Sequence, residues 1–306
     1  MRPSVRVRSA TAGAQGRRIR YWVTELEDEV SPTATPAPWA LNLHGNLADG
    51  TTYRPESLHL ARTLGWRVLT PDLPGFGRSD PARAGRPVLA ELAERVGWAL
   101  DHAGAGPIVV LGHSMGAAVA VALAHARRAQ VLGLICRDGV TTPGWKQRRS
   151  PLAVSVPFLG PDLALLVDLG IAAALEAPSL VTRRPAGLRS VLPGRWRAAL
   201  AAPGTLAAGA AMLTLDLRPE LGDLRQAGIP MLGVWGRGDR VVGRRAAEEF
   251  AAATGAAMHQ VPGGHSWMLR RPERQAEMLV ASPAGQAFLE AVAARHARYA
   301  AGQPVT

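Results

Sequence analysis

This chain is short of the residues that would commit it to several common ways of working. Among its 306 residues there is one cysteine, Cys136, at the end of the apolar run Val131–Ile135. An intrachain disulfide is therefore excluded, a pattern that fits a reducing compartment. A lone cysteine in such surroundings reads as a small buried core residue, not as a reactive thiol. No stretch of about 18 uncharged apolar residues occurs, which argues against stable membrane insertion. The Arg-rich segment from Met1 to Arg20 has no apolar core of the secretory kind, so a cytoplasmic protein is expected. Tyrosine and phenylalanine number three and four, and basic residues nowhere interleave with aromatics. Nucleic-acid binding is thus not expected despite a net charge of +11. Lys146 is the sole lysine among 35 basic residues, so the charge reflects a general preference for arginine. No histidine or carboxylate spacing suits a metal site, and no glycine-rich loop ends in the Lys-Ser/Thr of a phosphate cradle. No cofactor and no metal are expected.

What the chain does have is a rhythm. Short apolar runs alternate with helical patterns, the mark of βαβ units and a mainly parallel sheet. Strands are predicted at Arg18–Leu26, Trp39–Leu43, Trp66–Leu69, Pro107–Leu111 and Val131–Ile135. Between them, Pro87–Ala103 carries Leu89, Leu92, Val96 and Leu100 on one helical face. From about Val140 to Arg218 the alternation stops, and apolar helical pieces such as Leu163–Leu175 and Leu206–Leu215 sit in Pro-, Gly- and Arg-rich surroundings. It resumes with strands at Met231–Trp235 and Ala257–Val261, and ends in a helix over Ala284–Tyr299. The predicted architecture is a doubly wound, mainly parallel α/β sheet in two parts, residues 1–139 and 219–306, with a helical cap over 140–218.

Gly112-His113-Ser114-Met115-Gly116 lies between a predicted strand and an Ala/Val-rich helix. The G-x-S-x-G pattern alone is weak; on a strand-to-helix turn it marks a nucleophile. There the serine backbone is strained and neighbouring Cβ atoms would collide with the crossing elements. Ligands of open α/β sheets bind beyond the carboxyl ends of the strands. Those ends carry His44-Gly45-Asn46, Ser114, Asp138, Asp239 and His265, the last after Pro262-Gly263-Gly264. The order Ser114, Asp239, His265 suits a hydrolase of this architecture.

Leu43-His44-Gly45-Asn46, Asp72–Ser79, Gly112–Gly116, Gly236–Asp239 and Gly263-Gly264-His265 together resemble the α/β-hydrolase superfamily, in its capped serine esterase and lipase-like branch. The resemblance spans most of the chain; the cap has no matching motif. It implies that Ser114 attacks an acyl carbonyl, that His265 relays its proton, and that Asp239 orients the imidazole. Asp138, also at a strand end, is the alternative acid, since some members of the superfamily place it there. The backbone N–H groups of Asn46 and Met115 are implied as the oxyanion hole. Haloalkane dehalogenases and epoxide hydrolases use an aspartate where Ser114 stands. The similarity to carbon–carbon bond hydrolases is limited to Trp267, without their glycine-rich oxyanion run.

The expected function is hydrolysis of a small carboxylic ester with an apolar acyl part, accommodated by the apolar segment Pro151–Val181. A thioesterase or acyltransferase would use the same residues, so a thioester is the alternative substrate. A non-catalytic ligand-binding protein is the reading from another class. Nothing in the sequence speaks to oligomeric state.

Overall fold

A computed structural model describes residues 3–27, 37–83, 86–147 and 202–303. Its centre is an eight-stranded sheet in the order β1-β2-β4-β3-β5-β6-β7-β8. The strands are β1 (Val5–Ala14), β2 (Arg17–Leu26), β3 (Trp39–Leu43), β4 (Arg67–Pro71), β5 (Ile108–His113), β6 (Val131–Arg137), β7 (Met231–Gly236) and β8 (Ala257–Val261). β1 pairs antiparallel with β2 and β2 with β4, and every other pairing is parallel. The doubly wound, mainly parallel fold class expected from the sequence is what forms.

β1 is the one strand the sequence reading lacks. Gln15 and Gly16, at φ 52° and 71°, make the turn that joins it to β2, both residues left-handed as a two-residue hairpin turn requires. Its Val-Arg alternation at the sheet edge leaves Arg6 and Arg8 in water, so the apolar run that marks inner strands is missing. β5 and β6 are buried along their whole length, as strands covered on both faces must be.

Helices α1 (Gly50–Leu64), α2 (Val88–Ala103), α3 (Met115–Ala126), α4 (Ala202–Leu213), α5 (Arg218–Gln226), α6 (Arg244–Thr254), α7 (Trp267–Arg270), α8 (Arg274–Ala281) and α9 (Pro283–Ala300) flank the sheet. The pleat sends alternate residues to opposite faces. Val109 and Leu111 of β5 join Tyr53 and Leu60 of α1 and Phe288 and Val292 of α9. Ile108 and Val110 join Leu92 and Val96 of α2, Val121 of α3 and Phe250 of α6. Each such fully buried aliphatic side chain contributes about 1.5–3 kcal/mol. The two cores clamp the carboxyl ends of β5, β6, β7 and β8 in fixed register.

The expected cap, residues 140–218, falls mainly on 148–201, which lie outside the described residues, as do the predicted helix Leu163–Leu175 and the apolar segment Pro151–Val181. Its described parts are the turn Pro143–Gln147 and α4, which takes the place of the predicted piece Leu206–Leu215. Leu217 N donates to Thr141 O at 3.0 Å, so the two ends of the segment meet beside the end of β6. Among the described residues, no helix is long and apolar enough to cross a membrane.

Candidate active site

The chain turns from β5 into α3 at Ser114, whose φ of 54° and ψ of −120° lie outside the usual regions for an L-residue. Such a backbone costs about 1–3 kcal/mol and persists only where its surroundings hold it. Here Ser114 N donates to Arg137 O at 3.0 Å, and Ala117 N and Val140 N both donate to Ser114 O. The flanking glycines are a packing requirement. A Cβ on Gly112 would lie 2.5 Å from Ala117 Cα, and one on Gly116 would lie 2.5 Å from His44 O.

The ends of β7 and β8 meet in a second glycine-dependent junction. Arg237 N donates to Val261 O at 2.9 Å and Gly238 N to Gly263 O at 2.8 Å. A Cβ on Gly236 would stand 2.5 Å from Gly264 O, so only glycine lets the two loops approach. The junction brings His265 Nδ1 to 3.0 Å from Asp239 Oδ2. The other Asp239 oxygen accepts from Val241 N at 2.7 Å and Val242 N at 2.9 Å. Burial works against the Asp239 charge. The adjacent His265, its hydrogen bond, one from Asp138 and that from Val241 outweigh burial and hold the carboxyl below its ordinary range.

Asp138, at the end of β6, is fully buried at φ 44°. Its Oδ1 accepts from Gly236 N at 2.8 Å and its Oδ2 from the indole N–H of Trp267 at 2.7 Å. Burial first, then the charge of Asp239, raises this carboxyl well above the carboxylate range. Both sequence-predicted acids therefore stand together, with Asp239 the one hydrogen-bonded to the His265 ring.

Across the serine, Gly45 packs so closely that a Cβ there would be 3.2 Å from Ser114 Cβ and 2.9 Å from His113 Nδ1. Asn46 follows it directly, and its side-chain carbonyl accepts from Leu47 N at 3.1 Å. Met115 opens α3, so its N–H is one of the first-turn donors a helix leaves without a partner of its own.

The Alpha/beta hydrolase family model matches residues 43–278. The chain belongs to this family. Curated relatives include the magnesium-chelatase 30 kDa subunit of Rhodobacter capsulatus, 27% identical over 265 residues, covering 84% of this chain and 89% of the relative. Lipase LipV of Mycobacterium tuberculosis is 39% identical over 98 residues, 32% of this chain and 36% of the lipase. Among solved structures, the enol-lactonase of Burkholderia xenovorans LB400 superposes with a TM-score of 0.66 at 20% identity, covering 92% of this chain and all of the other.

This α/β hydrolase adds Tyr53 and His113, which the sequence left without a role, and shows how His44 is held beside the turn before Asn46. His113 Nε2 donates to His265 O at 2.9 Å, which leaves His113 Nδ1 to accept from the Tyr53 hydroxyl. His44 Nδ1 donates to Gly45 O, and its Nε2 accepts from Leu73 N. Burial pushes His44 down to about 4. Burial, then the charges of His265 and Arg137, lowers His113 well below its usual value. Both rings are thus neutral props with fixed tautomers. His113 and Trp267 could have been suspected from their places beside Ser114 and His265; Tyr53 gave no signal.

Asp138, Asp239 and His265 offer ligand atoms within 4.8 Å of one another. Hydrogen bonds already use all four carboxylate oxygens and Nδ1 of His265, so the set suits an acid–imidazole relay better than a metal.

Proposed function

We propose that this α/β hydrolase is a serine esterase that cleaves small carboxylic esters through an acyl-enzyme on Ser114. The observation that carries the reading is the 3.0 Å contact from His265 Nδ1 to a carboxylate held charged at Asp239, on loops packed against the Ser114 elbow. In this reading His265 Nε2 takes the Ser114 proton as Oγ attacks the acyl carbonyl. The imidazolium, stabilised by Asp239, returns the proton to the leaving alcohol. Water then repeats the sequence and releases the acid. The N–H groups of Met115 and Asn46 receive the developing oxyanion, each donor contributing about 3–4 kcal/mol.

An apolar acyl part is supported by α4. A Cβ on Gly209 would lie 3.9 Å from Asn46 Nδ2, so this Ala- and Leu-rich helix runs beside the proposed oxyanion hole. We read 1–139 and 219–306 as the hydrolase core and 140–218 as its cap. A cytoplasmic setting is in keeping with the single buried, reduced Cys136.

The test is turnover of p-nitrophenyl esters of short, long and charged acids, with matched acyl thioesters, by wild type and Ser114→Ala. Apolar esters are expected to be preferred, and Ser114→Ala to be inactive. Equal hydrolysis of all acids removes the apolar preference, and faster thioester turnover favours a thioesterase. Full activity in Ser114→Ala overturns the mechanism.

A further inference from the structure

We propose that Asp138 is a positioning residue that stays protonated at neutral pH and donates a hydrogen bond to Asp239, so that the two carboxyls share one charge, directed at His265. The inference rests on Asp239 being the acid of the proposed triad, and it gives the second strand-end acid a separate task.

The geometry begins with the place Asp138 holds. It is fully buried at the end of β6, and it ties three segments together. Gly236 N at the end of β7 donates to one oxygen at 2.8 Å, and Trp267 Nε1, two residues past His265, donates to the other at 2.7 Å. The third neighbour is the carboxyl of Asp239, which offers an oxygen within 4.8 Å of one of Asp138. Two carboxyls can hydrogen-bond to each other only if one carries the proton, because two buried anions in contact repel strongly.

The proton belongs on Asp138. Asp239 has two backbone donors and the His265 ring around it, all of which favour the anion. The nearest cation to Asp138 along the chain is Arg137, and its guanidinium is taken by Glu56 at 2.7 Å and by Asn42 at 2.7 Å. Among the described residues, Tyr53 and Cys136 also face Asp138 and are kept neutral by burial, and His265, within 4.8 Å, is hydrogen-bonded through Nδ1 to Asp239. A protonated carboxyl can accept both N–H groups and still donate once, which keeps the two bonds from Gly236 and Trp267 and leaves one proton to give to Asp239. Two named residues then follow from chemistry. Trp267 is the indole that holds Asp138 from the histidine loop, and Gly236 is the amide that holds it from the acid loop.

The first test is difference infrared spectroscopy of the whole protein at about pH 8, where ordinary carboxyls have ionised. Asp72, whose buried carboxyl is pushed up to about 6, has also ionised there. A carbonyl stretch of a protonated carboxylic acid, sensitive to deuterium oxide, is expected in wild type and absent in Asp138→Asn. The second test is kinetic. Asp138→Asn keeps a donor toward Asp239 and is expected to retain kcat/KM within about tenfold, whereas Asp138→Ala loses about a hundredfold in kcat with little change in KM. Asp239→Asn is expected to lose about a thousandfold or more.

An inactive Asp239→Asn with no acid band in wild type overturns the shared proton while leaving the triad reading intact. An active Asp239→Asn with an inactive Asp138→Asn makes Asp138 the charged acid and overturns both. Wild-type kcat in Asp138→Ala overturns the positioning role. If that variant does not fold, the infrared band and the Asn variant decide.

Discussion

The His113 ring holds the loop of His265: Nε2 donates to the His265 carbonyl at 2.9 Å, and the Tyr53 hydroxyl fixes the tautomer from the other side. The Arg137 guanidinium lies 5.9 Å from the Tyr53 ring centre, so a buried ion pair braces the tyrosine in turn. Tyr53→Phe leaves the fold in place but frees the His113 tautomer. The expected outcome is a fall in kcat of about tenfold with KM little changed, the size of one lost buried hydrogen bond. Steady-state kinetics on one ester checks it. An unchanged kcat would mean that the His265 loop holds its position without this chain of bonds.

The elbow makes a packing prediction independent of chemistry. Gly116→Ala places a Cβ 2.5 Å from the His44 carbonyl, a backbone atom that cannot swing aside. The cost is about 3 kcal/mol, at the upper end for overpacking. Gly106→Ala, where a Cβ meets nothing within 4 Å, serves as the control and is expected to change stability by less than about 0.5 kcal/mol. Denaturant unfolding of both variants distinguishes them, and equal midpoints would contradict the elbow geometry.

How much of this could be read from the residues alone follows from distance along the chain. Ser114, Asp239 and His265 were legible because each lies just past a predicted strand and has glycine within two residues, a local signature. The sheet was legible for the same reason, strand by strand, apart from the solvent-edged β1. Tyr53 and His113 are 60 residues apart, and His113 and His265 are 152 apart. Nothing in either neighbourhood announces such a pairing. Asp138 and Asp239 were both visible as strand-end acids. Their division of labour depends on a proton and on the Trp267 indole, which only the fold brings to the same carboxyl. The cap gave apolar composition and no motif.

Acid stability provides a test with opposed signs. Burial lowers His44 from its ordinary 6.5 to about 4 in the folded state, so its contribution is present above 6.5 and is lost as pH falls toward 4. That loss amounts to about 2 kcal/mol by pH 5, and His113 acts in the same direction. Asp72 acts in reverse. Its folded value, raised to about 6 by burial, means that it adds stability as pH falls through 6 toward 3.8. Asp72→Asn removes that gain, so acidification from about pH 7.5 to about 5 is expected to destabilise the variant by about 1 kcal/mol more than wild type. Urea unfolding at the two pH values measures the difference. A smaller loss in the variant would contradict the assignment for Asp72.

In the proposed mechanism Ser114 is a nucleophile activated by His265 and Asp239. A fluorophosphonate probe tests it most directly, because the activated Oγ displaces fluoride and leaves a covalent phosphonyl adduct on the serine. Peptide mapping by mass spectrometry should find one adduct, on Ser114, absent from Ser114→Ala and formed far more slowly in Asp239→Asn. An unmodified Ser114 in the folded protein, or labelling that persists in Ser114→Ala, would contradict the account.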